Sequence, residues 1–344
     1  TIVETTVNSL KELGAEPFIV SAMGSHGGGT EEGQREVLAG YGITEERLGV
    51  PVVTTVDTVY LGNCANGRPV WFDRAAYEAD LIVPINRVKL HTDFVGPIQS
   101  GLCKMLVIGL GNHKGCSAVH EEAPEVFAGA IEETARLILQ KAPVGFGIAI
   151  LENAYDKTYA VEAVPAEHLV EREKELVQIA KGNMPYIMLD EADVIVCGAI
   201  GKDISGAGFD PNILGRSSVL KQFVLHIPRY QRLVLCDVTP ASHGNGIGVG
   251  LFDVITKKVA EQLDLESMYA NAIACNCLGD ASVPCTVDDE ETAIRVALKC
   301  CRNIDRDHPR IIRIQNTLHL GEIEVSEALL DAVRADSRMS LIEN

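Results

Sequence analysis

The sequence predicts an α/β protein made of two α/β domains, with mostly parallel sheets and a cleft between the domains. Short apolar runs typical of buried strands alternate with segments of helical periodicity along the whole chain. Glycine-rich turns follow several of these runs, and in an open α/β sheet such turns lie at the carboxyl edge, where ligands bind. The 344 residues are enough for two domains with substantial cores.

We place the boundary between the domains near residue 188. Residues 1–188 would form an N-terminal catalytic and cofactor domain, and residues 189–329 a C-terminal domain that closes over the substrate. This division allows residues 330–344 to pack back on the first domain. The chain begins at Thr1 inside a helical pattern and without a methionine, so we expect an upstream segment to be missing.

The composition excludes several classes of partner. A formal net charge of −18 and a sequence pI near 4.9 make nucleic acid and anionic membranes poor partners. The sequence has no apolar run of transmembrane length and no signal peptide. Its ten cysteines lack the paired spacing of a structural zinc site, so we expect reduced thiols in a cytoplasmic protein.

The elements of the N-terminal half are predicted from hydrophobic periodicity and from capping and turn residues. Helical spacing over residues 2–13 ends at Gly14, as a C-cap would, and Thr30 is predicted to be the N-cap of a second helix. Asn66-Gly67 predicts a hairpin turn, and Gly111 and Gly115 favour a loop at 112–120. The remaining predicted elements are strands at 17–23, 144–154 and 159–165, one or two strands within 50–62, a short helix and a strand within 78–88, and helices at 31–42, 102–111, 123–140 and 167–182.

The C-terminal half repeats the alternation of strand and helix. Strands are predicted at 192–200, 233–238 and 310–318, because these runs are short, apolar and rich in branched residues. Helices are predicted at 250–263, 287–301 and 324–334. Glycine-rich loops follow the first two strands, which again favours a ligand-binding edge.

The turn after the first strand, MGSHGGGT at 23–30, holds His26 among glycines. Gly27 and Gly28 would let the backbone approach a cofactor closely, and the N-terminus of the next helix favours an anion such as a phosphate. The spacing does not match the dinucleotide fingerprint. Glycine-rich turns often only reverse the chain, and a histidine there is commonly a polar loop residue, so both interpretations stay open.

Residues 91–120 combine His91, Lys104, His113 and His120 with five glycines, a mixture that a plain core does not require. A lysine in a partly apolar turn can attack a carbonyl or thiocarbonyl carbon, and the alternative is that Lys104 reaches out to solvent. Imidazoles ligate metals and also transfer protons near neutral pH. The histidine spacing matches no common metal motif, so the residue types alone do not choose a metal.

The order and spacing of these residues resemble the nickel-pincer lactate racemase family of hydroxyacid racemases and epimerases. The motif MGSH at 23–26 is similar to the site of its first catalytic histidine, and His91 is similar in place to the second. Lys104 in SGLCK resembles the lysine that carries the cofactor, and His120, sixteen residues later, resembles the nickel ligand. Asp210-Pro211-Asn212 is similar to a turn in the family's second domain.

This resemblance, which spans nearly the whole chain, implies a racemase or epimerase of a 2-hydroxy acid. The implied cofactor is the nickel-pincer nucleotide, nickel pyridinium-3-thioamide-5-thiocarboxylic acid mononucleotide, held by Lys104 as a thioamide with His120 on the nickel. His26 and His91 would be the acid/bases, one for each enantiomer, while hydride passes to the cofactor and back. The implied partners are the substrate and the proteins that mature the cofactor, and a homo-oligomer is left open.

The chain also departs from the family's pattern. SGLCK stands in place of GGxK, and Leu214, Gly215 and Ser218 stand where the lactate enzymes carry Tyr-Gln and a lysine. We therefore expect a substrate other than lactate, larger or more polar. Arg216 could hold its carboxylate, with Asp210 and Asn212 as further substrate contacts. An acidic residue and an arginine that the family uses would precede Thr1.

Two other functions fit the residues. One is a metal-dependent hydrolase or lyase that uses the histidines with zinc or iron, and the other is a non-catalytic protein that binds a metallocofactor. Asp210 and Asn212 fit a plain turn as well as a substrate contact. His243, on a glycine-rich loop, ranks below His26 as a catalytic candidate.

Overall fold

A computed structural model of the protein describes residues 1–342, and of Ala274 only the backbone. The chain divides into two compact units: the first comprises Thr1–Glu152 and Thr158–Gly182, and the second comprises Asn153–Lys157 and the chain from Asn183 onwards. The division thus falls slightly before residue 188. Val333 of the last helix packs in the core of the second unit. Residues 343 and 344 lie outside the described range.

The first unit is a mixed α/β structure with three separate sheets. β1 pairs in parallel with β2, β3 and β4 form an antiparallel hairpin, and β6 lies between β5 (parallel) and β7 (antiparallel). The strands are β1 Ile19–Val20, β2 Val52–Val53, β3 Thr58–Asn63, β4 Pro69–Asp73, β5 Ile85–Arg87, β6 Phe146–Glu152 and β7 Thr158–Pro165. The helices are α1 Ile2–Glu12, α2 Glu31–Gly40, α3 Glu45–Leu48, α4 Arg74–Tyr77, α5 Leu102–Lys104, α6 Asn112–His120, α7 Pro124–Lys141 and α8 Leu169–Asn183.

The second unit is built on one sheet with the strand order β11-β10-β9-β8-β12-β13. All neighbours in it are parallel except β12 and β13. Its strands are β8 Val194–Cys197, β9 Arg232–Leu235, β10 Val254–Thr256, β11 Cys285–Val287, β12 Ile311–Ile314 and β13 Ile323–Val325. Its helices are α9 Pro211–Leu214, α10 Lys257–Gln262, α11 Leu265–Ala274, α12 Glu290–Lys299 and α13 Leu330–Ala335.

The predicted fold class, α/β with mostly parallel pairing, is confirmed. The hairpin at Asn66-Gly67 and the N-cap at Thr30 are also confirmed, since Gly67 has a φ of +86° and the Gly33 N–H donates to the Thr30 hydroxyl over 3.1 Å. Within residues 1–342, no helix is long and apolar enough to cross a membrane.

Three predicted segments were wrong. Residues 112–120 form helix α6 instead of a loop, because Gly115 serves close packing: a Cβ there would lie 3.0 Å from the carbonyl oxygen of Trp71. The predicted helix at 250–263 contains the buried β-branched strand β10, and only its last part is helical. The predicted helix at 324–334 begins with edge strand β13, and its helix starts only at Leu330.

Helix α8 places a carboxyl group in the interior of the first unit. Its buried face carries Leu169, Leu176 and Val177, at the spacing of an amphipathic helix, and Glu173 lies on the same face with no exposed surface. Burial raises the pKa of Glu173 to about 7, although its carboxylate accepts a backbone hydrogen bond from Cys103. The folded chain therefore keeps a proton that the unfolded chain releases at lower pH.

This linkage predicts a stability that depends on pH. Between about pH 4.5 and pH 7 the folded state binds more protons at Glu173, so the free energy of unfolding should fall as pH rises, by about 3 kcal/mol in all. Glu173→Gln should remove this fall. Urea unfolding at several pH values, followed by fluorescence of Trp71 in β4, measures it within the first unit.

The matched control is Glu167→Gln, which changes an exposed glutamate just before the same helix and should keep the fall. If the Glu173→Gln chain loses stability between these pH values as steeply as the unchanged chain does, the buried carboxyl is not the source.

Candidate functional site

His91 and Lys104, two of the predicted site residues, are in direct contact. The Lys104 Nζ atom lies 2.5 Å from His91 Nε2. His91 follows the buried residue Leu90 in the loop after β5, and Lys104 is the last residue of the short helix α5. The two residues are thirteen positions apart in the sequence, and the fold brings the lysine amine within hydrogen-bond distance of the imidazole.

Three neighbours fix the orientation of the His91 ring. The backbone N–H of His91 donates to the Gln99 side-chain oxygen over 2.8 Å, and Phe94 stacks on the imidazole with ring centres 4.3 Å apart. The backbone N–H of Asp93 donates to His91 Nδ1 over 3.1 Å. Because a backbone amide only donates, Nδ1 holds a lone pair, and a neutral ring then carries its proton on Nε2.

The surroundings of His91 favour the neutral ring. Burial lowers its pKa well below the usual value, the charge of Lys89 lowers it further, and so would a positive charge on Lys104. Only 14 % of the side chain is exposed. His91 is therefore uncharged near neutral pH and can take part in proton transfer without first losing a proton.

Lys104 is positioned by the turn that precedes it. The Asn86 side-chain amide donates to the Gly101 carbonyl over 2.8 Å, and the Cys103 N–H donates to Glu173 Oε2 over 2.8 Å. A Cβ on Gly101 would lie 2.6 Å from the Glu173 carboxyl carbon, closer than any real contact of that kind. A side chain at 101 would therefore displace the Glu173 carboxyl, through which α8 holds this turn.

The segment after Lys104 connects this turn to the first glycine-rich turn. Met105–Gly109 is a π-helix, a widened helical turn that often occurs at functional sites. The Gly24 N–H donates to the Gly109 carbonyl over 3.0 Å, and a Cβ on Gly109 would collide with the Ala22 carbonyl. The two glycine-rich stretches of the sequence therefore touch through their backbones.

His26 lies in that first turn and is exposed. It precedes the short 3-10 turn Gly27–Gly29, whose three glycines all have positive φ. A Cβ on Gly27 would collide with Gly33 at the start of α2, whereas a Cβ on Gly28 would meet open space. Gly27 is therefore explained by packing, and Gly28 is the position that leaves the backbone accessible.

His120 ends helix α6, close to the same turns. Its Nδ1–H donates to the Cys116 carbonyl one turn earlier over 2.7 Å, so the Nε2 lone pair is available to a metal. The hydrogen bond with the Cys116 thiol raises the pKa of His120, and burial and Lys104 lower it. Ser25, beside His26, lies 3.9 Å from the Cys116 sulfur, measured from its hydroxyl oxygen.

Aromatic contacts connect His120 with His91. Phe127 meets the His120 ring edge-on with centres 5.0 Å apart, and it packs at 4.8 Å against Phe94, which stacks on His91. His91, Lys104 and His120 thus share one part of the first unit, with the His26 turn packed against α6. A positive charge on His120 would also lower the pKa of His91.

His113 is on α6 as well, seven residues before His120. Its Nδ1 is 3.0 Å from the Ser117 hydroxyl, in an exposed bond within the helix. The helix brings the two histidines to one side, two turns apart. Within the described part of the chain, no group of three or more His, Cys, Asp or Glu side chains is arranged to hold a metal ion.

The predicted substrate residues all belong to the second unit. Asp210 caps helix α9 by accepting the Asn212 N–H over 2.9 Å, and its own N–H donates to the Thr317 hydroxyl over 2.9 Å. Arg216 pairs with Asp253 at 2.7 Å and donates to the Leu251 carbonyl over 2.8 Å. These contacts give Asp210 a capping role and Arg216 an ion pair within this unit.

Sequence reasoning missed Glu173, Asp93 and Phe94. Glu173 left a signal, because it is a charged residue on the apolar face of a helix, where an unpaired charge would be costly. Asp93 acts through its backbone N–H, which is common to nearly all residue types, and Phe94 was part of a stretch predicted only as a loop. Neither could be found from residue type alone.

Comparison with known proteins identifies the first part of the chain. Residues 1–128 match the family model described as the lactate racemase N-terminal domain. No curated protein sequence matches the chain.

Two solved structures are similar at low sequence identity. The lactate racemase apoprotein from Thermoanaerobacterium thermosaccharolyticum is 14% identical, with 83% of this chain and 81% of that chain covered and a TM-score of 0.47. A protein from Thermotoga maritima is 11% identical, with 94% and 85% covered and a TM-score of 0.42. The family-model match thus makes residues 1–128 similar to the N-terminal domain of lactate racemases.

Proposed function

We propose that the protein is a racemase or epimerase of a 2-hydroxy acid that uses a nickel-pincer nucleotide. The single observation that carries the proposal is the contact of Lys104 with His91 in a chain whose residues 1–128 match the lactate racemase N-terminal domain. Two phenylalanines, Phe94 and Phe127, connect this pair with His120. The substrate that we propose is larger or more polar than lactate, because the residues after Asn212 differ from those of the lactate enzymes.

The residues present fit this group. A pincer cofactor brings most of the nickel donors itself and needs one amine for attachment and one further ligand, and Lys104 and His120 would supply these. The His120 tautomer suits the task, since Nδ1–H is bonded to the Cys116 carbonyl and Nε2 is left for the metal. When bound, the cofactor would accept hydride from the substrate and return it. Gly28 would let a nucleotide approach the backbone.

His91 would transfer the proton of the substrate hydroxyl, and its tautomer would set the direction. With Nδ1 accepting from the Asp93 N–H, the neutral ring carries its one proton on Nε2 and can donate a hydrogen bond from it to a substrate oxygen. To act as a base at Nε2, the neutral ring would carry its proton on Nδ1 instead, on the side where the Asp93 carboxylate lies 3.8 Å away. The ring that has taken up a proton at Nε2 is then the acid that returns it. We assign His26 the same task for the opposite enantiomer.

The other parts of the account stay predictions. These are the substrate contacts of Asp210, Asn212 and Arg216, the nucleotide contact of Gly27, the cofactor-maturation partners and the cytoplasmic location. The contacts of Asp210 and Arg216 described above explain their local structural roles, and substitution with an assay on polar 2-hydroxy acids would test a substrate role.

Loss of either catalytic histidine should stop racemisation. His26→Ala and His91→Ala should each lower the rate by about 100-fold or more, since positioned acid/bases contribute about that much. The measurement is chiral chromatography of a panel of 2-hydroxy acids after incubation with protein matured in the presence of its cofactor proteins. His168→Ala, at an exposed position before α8, is the matched control and should keep the rate. Full activity in either catalytic variant would remove that histidine from the mechanism.

Loss of His120 should release nickel. His120→Ala should bind nickel at least about tenfold more weakly, because the metal loses one ligand, a ring that its hydrogen bond to Cys116 orients. Nickel content by elemental mass spectrometry after gel filtration gives the readout. His113→Ala, on the same helix, is the control and should retain the metal. Equal nickel in both variants would contradict the assignment of the ligand.

A further inference from the structure

We infer that, before any cofactor is attached, His91 holds Lys104 as a neutral amine, so that the cofactor-free chain is itself a nucleophile toward activated acyl and thioacyl carbons. The proposed function assigns Lys104 as the attachment point, and this inference explains how the attachment starts. It concerns the chain before maturation, and it can be tested without racemase activity.

The assignment follows from counting donors at the ring. The Asp93 N–H is fixed as a donor and points at His91 Nδ1 over 3.1 Å, so a neutral imidazole has its one proton on Nε2. That proton faces Lys104 Nζ at 2.5 Å. An ammonium group has three protons and no lone pair, so it would meet this N–H proton to proton. A neutral amine accepts the bond with its lone pair, and the contact is satisfied.

Protonating the ring does not remove the conflict. A charged imidazolium would carry a proton on both nitrogens, and its Nδ1–H would then oppose the Asp93 N–H. Burial and nearby positive charges also disfavour this form, which is why the pKa of His91 is low. The neutral ring facing a neutral amine is the one arrangement that satisfies both short contacts.

The charged and titratable groups around the pair favour the same state. Lys89 lies on the same loop segment as His91, and its positive charge lowers the pKa of the ring, as a charge on His120 of α6 would. Asp93 offers a carboxylate 3.8 Å from Nδ1, on the far side of the ring from Lys104 and 46 % exposed to solvent. Glu173 supports the turn from α8 and bonds the Cys103 N–H, with a pKa raised by burial to about 7.

The chemical step is acyl transfer to nitrogen. The lone pair on Nζ leaves its hydrogen bond with His91 and attacks the acyl or thioacyl carbon, forming the N–C bond. The bond from that carbon to the leaving group breaks, and the electron pair departs with the leaving group. One proton of the new nitrogen goes to the leaving group, which gives an amide or thioamide on Lys104 and a protonated leaving group. No oxidant or reductant is needed.

The test is acylation of the cofactor-free protein with a limiting amount of the N-hydroxysuccinimide ester of acetic acid, from pH 6 to pH 10. Peptide mass mapping gives a rate for each lysine. An ordinary lysine is only about 0.04% free amine at pH 7. Lys104 should react at least about tenfold faster at pH 7 than exposed lysines such as Lys157 and Lys257, even though it is partly buried. Its rate should change little from pH 7 to pH 10, whereas theirs should rise with pH.

A pair of substitutions at Asp93 isolates the backbone amide. Asp93→Ala keeps the N–H and should keep the fast labelling of Lys104. Asp93→Pro removes the N–H, which allows the ring to place its proton on Nδ1 and to accept from a Lys104 ammonium. The labelling rate of Lys104 at pH 7 should then fall at least about tenfold and rise again with pH.

His91→Phe is the second line of evidence, for the case in which the proline variant does not fold. It keeps an aromatic ring against Phe94, removes the Nε2–H donor and should slow Lys104 labelling at pH 7 in the same way. His113→Phe, on α6, is its control and should have no effect on Lys104.

Two results would overturn the inference. One is a Lys104 that labels no faster than Lys157 at pH 7, with a rate that climbs with pH like that of any exposed lysine. The other is fast labelling that persists in both His91→Phe and Asp93→Pro. A fast Lys104 in a chain with no racemase activity would leave this inference intact and remove the proposed function, so the two can fail separately.

Discussion

The contact between Gly101 and the buried carboxyl of Glu173 is the constraint on which the first unit's site depends. No side chain fits between them, and the same carboxyl bonds the Cys103 N–H. This contact sets where α5 begins, and it therefore sets the position of Lys104, the last residue of α5. Lys104 in turn meets His91, which three neighbours hold from the other side. The buried carboxyl of Glu173 thus helps to determine the position of the Lys104 amine.

The unusual composition of residues 91–120 has a structural explanation for most of its members. Gly101, Gly109, Gly111 and Gly115 each bring the backbone close to other backbone or to a carboxyl, with no room or little room for a Cβ. His91, Lys104 and His120 are then residues that this packing does not account for. His91 and Lys104 touch, and His120 presents the ring nitrogen that does not bond to its own helix. The glycines supply close packing, and the polar side chains supply the chemistry.

The sequence predicted the α/β class and the hairpin, because periodicity and turn residues carry that information. It also singled out His91, Lys104 and His120 by residue type, and the fold brings the first two into contact. It did not predict that 112–120 is helical, because Gly115, which suggests a loop, is explained by tertiary contact with Trp71. It did not predict strand β10 either, since three residues are too few to show a period. Glu173 and the Asp93 amide were missed because their roles come from burial and from backbone geometry.

The account's central claim is that Lys104 carries the cofactor, and intact mass followed by peptide mapping of protein matured with nickel and its cofactor proteins tests it most directly. The account predicts a mass addition on the peptide that contains Lys104, lost in Lys104→Arg and kept in Lys114→Arg, whose lysine lies over Trp71 instead. An active racemase in which Lys104 is unmodified would contradict it.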